Sequence, residues 1–156
     1  MNTWNDHSTT YNTTLTMLFR IGRSFYGLDT TLIQEVVRVG NLTAVPGAPA
    51  DIVGIRNLRG KIITVIDMAT HLGVEADQRN PDNRLILIDH HGDSYGFLVD
   101  SVSEAVLIPE EDIAPPTGNL DADFAQRLRG LWRNGNEMVS ILDNQEIFCW
   151  PEAHEN

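Results

Sequence analysis

The stretch GIRNLRGKIITVID, residues 54–67, holds two apolar runs on either side of the turn Arg59-Gly60. Two apolar runs that flank a short glycine turn are typical of a β-hairpin. Asp67 stands where an aspartate can accept hydrogen bonds from the free amides of a following helical turn, and Gly73 stands where glycine commonly ends one. The stretch therefore predicts strand, turn, strand and a short helix from Met68 to Leu72.

The same arrangement of apolar runs around glycine recurs along the chain in both directions. Turns are predicted at Gly22-Arg23, Gly92-Asp93 and Asn134-Gly135, and Asn-Gly is a strong signal for a type I′ turn. Apolar and polar residues alternate from Leu15 to Ile21, as they do in a strand with one buried face. Further strands are predicted at Ile62 to Ile66, Leu85 to Ile88, Tyr95 to Val99 and Met138 to Leu142. The chain is therefore expected to be mostly β.

Polar, turn-rich segments divide the chain into regions. Residues 1–14 are rich in Asn and Thr and are predicted to be a tail, residues 15–148 a folded domain, and residues 149–156 a second tail. The polar segments 74–83 and 109–123 are expected to join two halves of similar build. The density of short strands suits small barrels, which remove exposed sheet edges by closing on themselves.

An aspartate follows the second strand of each predicted hairpin, at Asp29, Asp67, Asp100 and Asp143. Caps of helical turns are expected for Asp67 and for Asp143, since Glu146 three residues later gives a capping-box-like spacing. This structural role accounts for these carboxylates better than catalysis does.

Composition and charge limit the kinds of partner. The 156 residues carry 22 Asp and Glu against 11 Lys and Arg, and the formal net charge of -11 repels phosphate backbones and anionic lipids. Nucleic acid and direct membrane insertion are therefore not expected, and no apolar run approaches the roughly 20 residues that span a bilayer. The single cysteine, Cys149, excludes an intramolecular disulfide and suits a reducing cytoplasm.

The sequence contains no constellation of catalytic or metal-binding residues. Phosphate-binding loops, nucleophile elbows and Cys-x-x-Cys pairs are absent. The most metal-like segment is 89–93, Asp-His-His-Gly-Asp, but adjacent histidines on a strand point to opposite faces and the glycine predicts a solvated turn. His71 follows Asp67 by four positions and could meet it on one helix face, and Cys149 is expected to pack. The chain is therefore predicted to be non-enzymatic, without cofactor or metal.

Residues 45–49 (VPGAP), 54–60 (GIRNLRG), Ile66-Asp67 and Leu72-Gly73 closely resemble the signature of CheW-like domains. Further stretches follow in the family's order: Gly27-Leu28 with 33–36 (IQEV), 96–102 (GFLVDSV), 113–116 (IAPP), and Gly130-Leu131 with 139–143 (VSILD). The resemblance extends from Leu15 to Phe148. Any one piece would be weak evidence, but the ordered set is specific.

This resemblance implies a pair of intertwined five-stranded SH3-like β-barrels with short helices and no bound cofactor. It also implies a cytoplasmic adaptor, recruited to membrane receptor arrays, that couples chemoreceptors to the CheA histidine kinase. CheW-like domains also occur in CheA and in CheV adaptors, but 156 residues leave no room for a kinase core or receiver domain, so a free-standing protein is expected. The regulatory domain of CheA would bind the first barrel, and the cytoplasmic tip of the receptor would bind the cleft between the barrels. A coupling protein of a type IV pilus or another chemosensory array would look much the same.

The resemblance also nominates two sets of binding residues. The receptor set is Ile33, Glu35, Val36, Gly54, Arg59, Gly96 and Ala105, and the kinase set is Val45, Ile62 and Thr64. Gly54 and Gly96 would allow close approach of a receptor helix. Glu35 and Arg59 match charged positions that meet in the family. A buried charge without its partner costs about 3–5 kcal/mol. A structural role for the pair is therefore slightly favoured over a role in receptor binding.

Two functions from other classes stay open on the sequence alone. A ligand-binding domain or an enzyme with a dispersed site would escape a search for motifs. A peptide-binding SH3-like module would need an aromatic-lined groove for proline-rich ligands, and the three tryptophans, Trp4, Trp132 and Trp150, are not clustered in sequence.

Overall fold

The computed structural model describes residues 12–77 and 81–148. The tail predicted for residues 149–156, with Cys149, and most of the tail predicted for residues 1–14 lie outside them. The strands are β1 Thr13–Ile21, β2 Ser24–Asp29, β3 Ile33–Arg38, β4 Ile52–Leu58, β5 Lys61–Asp67, β6 Arg84–His90, β7 Asp93–Val99, β8 Ser101–Pro109, β9 Leu128–Asn134 and β10 Glu137–Leu142. The helices are α1 Met68–Leu72 and α2 Ala122–Gln126, and 3-10 turns span Thr30–Leu32, Glu110–Asp112 and Glu146–Phe148.

These strands form two five-stranded sheets. One sheet has the order β8-β1-β2-β10-β9 and contains the first and last strands of the chain, so we call it the terminal sheet. The other has the order β3-β6-β7-β5-β4 and is formed entirely by the middle of the chain, so we call it the central sheet. The sequence-based prediction of a mostly β protein with two five-stranded units and short helices is confirmed.

The path of the chain between the sheets differs from the prediction. The polar segment 74–83 joins α1 to β6 within the central sheet unit, and the segment 109–123 follows β8 within the terminal sheet unit. The chain instead changes sheets between β2 and β3 and between β7 and β8, where the buried Asp100 carboxylate accepts hydrogen bonds from the amides of Gly22 and Asp77. The prediction that the two polar segments join the halves was wrong, because polar composition marks an exposed loop without showing which strands it connects.

Each sheet has one face on a small core of its own and one face on a large core that both sheets share. Along β1, Leu18 packs in the core of the terminal sheet, while Phe19 and Ile21 point into the shared core. Along β5, Val65 packs in the core of the central sheet and Ile66 in the shared core. This alternation follows from the two-residue period of strand side chains. The contact between the sheets is therefore extensive and apolar.

Two of the hairpin turns require positive φ at both central residues. Arg59 and Gly60 have φ of 52° and 85°, and His91 and Gly92 have 51° and 85°, which are type I′ values. The turn after β9 lies at Gly135-Asn136, one residue later than predicted, because Asn134 is still paired with Glu137. Its asparagine does not have positive φ, so the type I′ assignment for the Asn-Gly step was wrong.

The aspartate caps predicted from sequence are present. Asp67 accepts a hydrogen bond from the amide of Ala69 at the start of α1, and Gly73 ends the helix in the left-handed conformation. Asp143 accepts from the amides of Gln145 and Glu146 at the final 3-10 turn. Both carboxylates are thereby engaged in local structure.

Candidate functional site

The ten residues nominated for binding lie on both sheets. Seven were assigned to a receptor: Ile33, Glu35 and Val36 on β3, Gly54 on β4, Arg59 in the turn after β4, Gly96 on β7 and Ala105 on β8. Three were assigned to a kinase: Val45 in the loop before β4, and Ile62 and Thr64 on β5. The structure brings them together in part, into a groove, a patch and a cleft.

The charged pair lies at the surface and not in an apolar interior. Arg59 Nη2 is 2.6 Å from Glu35 Oε1 and 2.9 Å from Oε2, so the expected pairing is present. The two side chains are 66% and 39% exposed. An exposed pair of this kind contributes about 0–1 kcal/mol, because water already solvates both charges. The premise that each charge would be stranded in an apolar site without the other was wrong.

Glu35 and Arg59 form part of a groove of about 250 Å³, which we call the charged groove. Lys61 and Asp89 lie on the same groove with Lys61 Nζ 3.4 Å from Asp89 Oδ1. Apolar side chains of the central sheet also line it, among them Ile63 from that sheet's own core. The apolar lining of such a groove can hold an apolar side chain of a partner. The polar groups around it can fix the orientation of that partner.

Gly54 and Gly96 are buried against their own chain. A Cβ on Gly54 would lie 2.5 Å from the Thr43 carbonyl oxygen, and a Cβ on Gly96 would lie 3.2 Å from a side-chain carbon of Ile63. The space that each glycine leaves is therefore filled from inside the molecule. The idea that these glycines let a receptor helix approach the backbone was wrong, because neither position faces outward.

A cleft of about 390 Å³ runs between the two sheets, and we call it the inter-sheet cleft. It is lined by Val36 from β3, Ser101 and Val102 from β8, Arg84 at the start of β6 and Asp82 in the segment before β6.

Of the receptor set, only Val36 lines this cleft. Ile33 lies on the same strand, and Ala105 is exposed further along β8. Val102 was not nominated from sequence, because an apolar residue in a strand gives no sign of whether it faces a core or a cleft.

Exposed apolar side chains occur on the β4–β5 hairpin and on the loop before it. Val45, Val53 and Ile62 are three of the six exposed large apolar side chains in residues 12–77 and 81–148, and Ile62 is 53% exposed. We call these three the apolar patch. Thr64 pairs with Ile55 across the hairpin.

The loop that carries Val45 is attached to this hairpin. Thr43 bridges to Ile55 through hydrogen bonds of 2.9 and 2.8 Å. This bridge attaches the loop of Val45 to the hairpin that carries Ile62 and Thr64, and Val53 is a further exposed apolar residue of that hairpin.

The two adjacent histidines are close together, which differs from the prediction. The rings of His90 and His91 have centroids 4.0 Å apart, because His91 lies in the turn with positive φ and not on a strand. His90 stacks on Phe148 with ring centroids 3.7 Å apart. Burial lowers the pKa of His90 below its ordinary value of 6.5, and the neighbouring His91 lowers it further.

His71 pairs with residues other than Asp67. Its Nδ1 lies 2.9 Å from Asp51 Oδ2, and its Nε2 lies 2.7 Å from the carbonyl oxygen of Ile147. Asp67 accepts instead from Thr70 Oγ1 and from the start of its own helix. The possible contact between His71 and Asp67 is therefore not made, because the cap already occupies the carboxylate.

Two further observations bear on chemistry. Within the described parts of the chain, no three histidine, cysteine, aspartate or glutamate side chains are grouped as a metal ion would require. None of the helices found in those parts is long and apolar enough to cross a membrane.

Comparison with known proteins gives consistent matches. The sequence pattern of the CheW-like domain matches residues 16–152. The chain is 31% identical to the chemotaxis protein CheW of Helicobacter pylori over 129 residues, which cover 83% of this chain and 78% of that protein. It is 30% identical to protein FrzA of Myxococcus xanthus over 130 residues, covering 83% and 81%. The crystal structure of the scaffolding protein TtCheW from Thermoanaerobacter tengcongensis superposes with a TM-score of 0.80, at 31% identity, over 89% of this chain and 90% of that one.

Proposed function

The chain belongs to the CheW-like domain family, and from this premise we propose that it couples chemoreceptors to the CheA histidine kinase. It is a chemotaxis scaffold protein built from two SH3-like units and not an enzyme. The observation that carries the proposal is the presence of two separate surfaces suited to two partners. The apolar patch lies on the central sheet alone, whereas the inter-sheet cleft is formed by both sheets.

The apolar patch is the proposed surface for the regulatory domain of CheA. Val45, Val53 and Ile62 expose apolar side chains on one hairpin and the loop attached to it, and exposed apolar surface is a feature of interaction sites. A dissociable signalling contact would bury about 1,200–2,000 Å² in total, so neighbouring polar residues would form its rim.

The inter-sheet cleft is the proposed surface for the cytoplasmic tip of a receptor. Val36 and Val102 supply apolar contact, and Ile33 and Ala105 lie on the same two strands. Glu35 and Arg59 are proposed to contact the receptor as an exposed pair that selects among partners by charge. Gly54 and Gly96 act in this proposal only by shaping the central sheet.

A chain with this role would be located in the cytoplasm at receptor arrays, held there by its partners. Its net charge of -11 favours partners with basic surfaces and disfavours nucleic acid and anionic lipid. A second candidate function is the coupling of a different chemosensory array, such as one that controls type IV pili. The match to FrzA favours this second candidate. FrzA does not carry the CheW name, yet the chain is nearly as identical to FrzA (30%) as to the CheW of Helicobacter pylori (31%).

Co-sedimentation with receptor-containing membranes, with and without CheA, tests the proposal. We expect the protein to sediment with receptor membranes and to bring CheA with it. Ile62→Glu should lose CheA and keep the receptor, because a charge in the apolar patch must be desolvated on binding. Ala105→Glu should lose the receptor and keep CheA. Met138→Glu is the control, since Met138 is also exposed and lies on β10, a strand that contributes to neither the inter-sheet cleft nor the apolar patch.

Two results would contradict the proposal. The first is an unmodified protein that sediments with neither partner. The second is heat on titration with nucleotides or divalent metals, which would favour a ligand-binding domain or enzyme. Trp132 packs against the core of the terminal sheet, so it does not favour a module that binds proline-rich peptides.

A further inference from the structure

The final 3-10 turn, Glu146–Phe148, belongs to the terminal sheet unit and docks on the central sheet unit. Phe148 packs its ring against His90, Tyr95 and Phe97, all on β6 and β7. His71 on α1 makes the polar contact of this docking through the carbonyl oxygen of Ile147.

His71 contacts one group through each of its two ring nitrogens. A carbonyl oxygen only accepts hydrogen bonds, so Nε2–H of His71 donates to Ile147. The other ring nitrogen, Nδ1, lies 2.9 Å from Asp51 Oδ2, which is within hydrogen-bond distance. The side chains of His71 and Asp51 are 1% and 7% exposed, so water does not replace either contact.

The hydrogen bond between His71 and Ile147 is directional, whereas the apolar packing around it is not. Apolar contact is not directional, and a core shared by two sheets is compatible with small shifts of one sheet along the other. A buried hydrogen bond that is left unmade is expensive, so the bond between His71 and Ile147 favours one relative position. Buried polar contacts are known to fix register in this way in other folds.

We propose that His71 is a positioning residue that fixes the terminal sheet on the central sheet through its bond to Ile147. The relative position of the sheets sets the width of the inter-sheet cleft, since Val36 and Val102 lie on opposite sides of it. His71 therefore controls receptor binding without touching the receptor. The binding part of this statement rests on the proposed function, whereas the positioning part does not.

Three substitutions separate the two contacts of the ring. His71→Gln places an amide N–H near the position of Nε2 and keeps the bond to Ile147. His71→Asn places its polar group near the position of Nδ1 and keeps only the contact with Asp51. His71→Phe keeps the approximate volume and loses both. Each substitution is also combined with Asp51→Asn. This removes the buried Asp51 carboxylate, whose lost contact with the ring would otherwise affect the measured exchange.

Amide hydrogen exchange measures the position of the turn. The amides of Ile147 and Phe148 are bonded to Asp143 and Gln145, and amides of β10 serve as the internal reference for global unfolding. We expect His71→Gln to keep the protection of these two amides. His71→Asn and His71→Phe should lose about tenfold relative to β10, the loss expected from one hydrogen bond. Equal protection in Gln and Phe variants, whether kept or lost, would overturn the proposal.

Binding provides the second readout. Asn and Phe variants should bind receptor membranes more weakly than the Gln variant and bind CheA alone equally well, because the apolar patch lies within one sheet. If all three bind receptor equally while exchange follows the expected pattern, the control of receptor binding is refuted. If the unmodified protein binds neither partner, the proposed function fails, and the exchange pattern still decides the positioning role.

Discussion

A double-mutant cycle on Glu35 and Arg59 measures how far a surface ion pair supports this fold. The perturbations are Arg59→Ala, Glu35→Ala and both together. One nitrogen of the guanidinium reaches both carboxylate oxygens, and both side chains are exposed. Water screening then limits the coupling energy to about 0.2–1 kcal/mol. This is far below the cost of breaking a buried pair, which the sequence had suggested.

The assay is urea unfolding of the four proteins at low and at high salt. We expect a coupling energy that decreases with added salt, because exposed charges are screened by mobile ions. Lys61 and Asp89 form a matched control pair on the same groove, with a longer contact and therefore a smaller coupling. A salt-independent coupling above about 2 kcal/mol, the range of partly buried contacts, would refute the assignment of this pair to the solvated surface.

Two further predictions concern stability. Because burial lowers the pKa of His90 below 6.5, with His91 adding repulsion, the unfolded chain binds more protons in acid and stability should fall as pH drops below about 6.5. His90→Phe should flatten this fall in urea unfolding followed from pH 7.5 to 5, and an unchanged slope would contradict the attribution. Gly54→Ala should destabilise by about 1–3 kcal/mol, since its Cβ meets the Thr43 carbonyl, whereas Gly118→Ala meets nothing within 4 Å and should be neutral in thermal unfolding.

Elements that depend on neighbours in sequence could be predicted. The hairpin at Arg59-Gly60 and the helix after Asp67 are both present, because turn glycines, strand alternation and side-chain caps act over a few residues. The turn at Gly135 shows the limit of such signals. Its position was set by the pairing of Asn134 with Glu137, and pairing depends on the fit of two whole strands.

Contacts between distant parts of the chain could not be predicted. His71 meets Asp51 and Ile147 only because the fold brings α1, the loop before β4 and the final turn together. Val53 was also missed. A register shift between Ile52 and Gly54 places it in a bulge, and the alternation of apolar residues does not reveal bulges.

The insertion of the central sheet between strands of the terminal sheet has a consequence for synthesis on the ribosome. Residues 33–99 emerge early and contain every strand of the central sheet. The terminal sheet must wait for β10, whose Val139 pairs with Phe25 near the other end of the chain. Chain growth therefore leaves the apolar face around Phe97 uncovered until Leu142, Ile147 and Phe148 are made. During that interval the nascent protein exposes a surface that chaperones bind and that can aggregate.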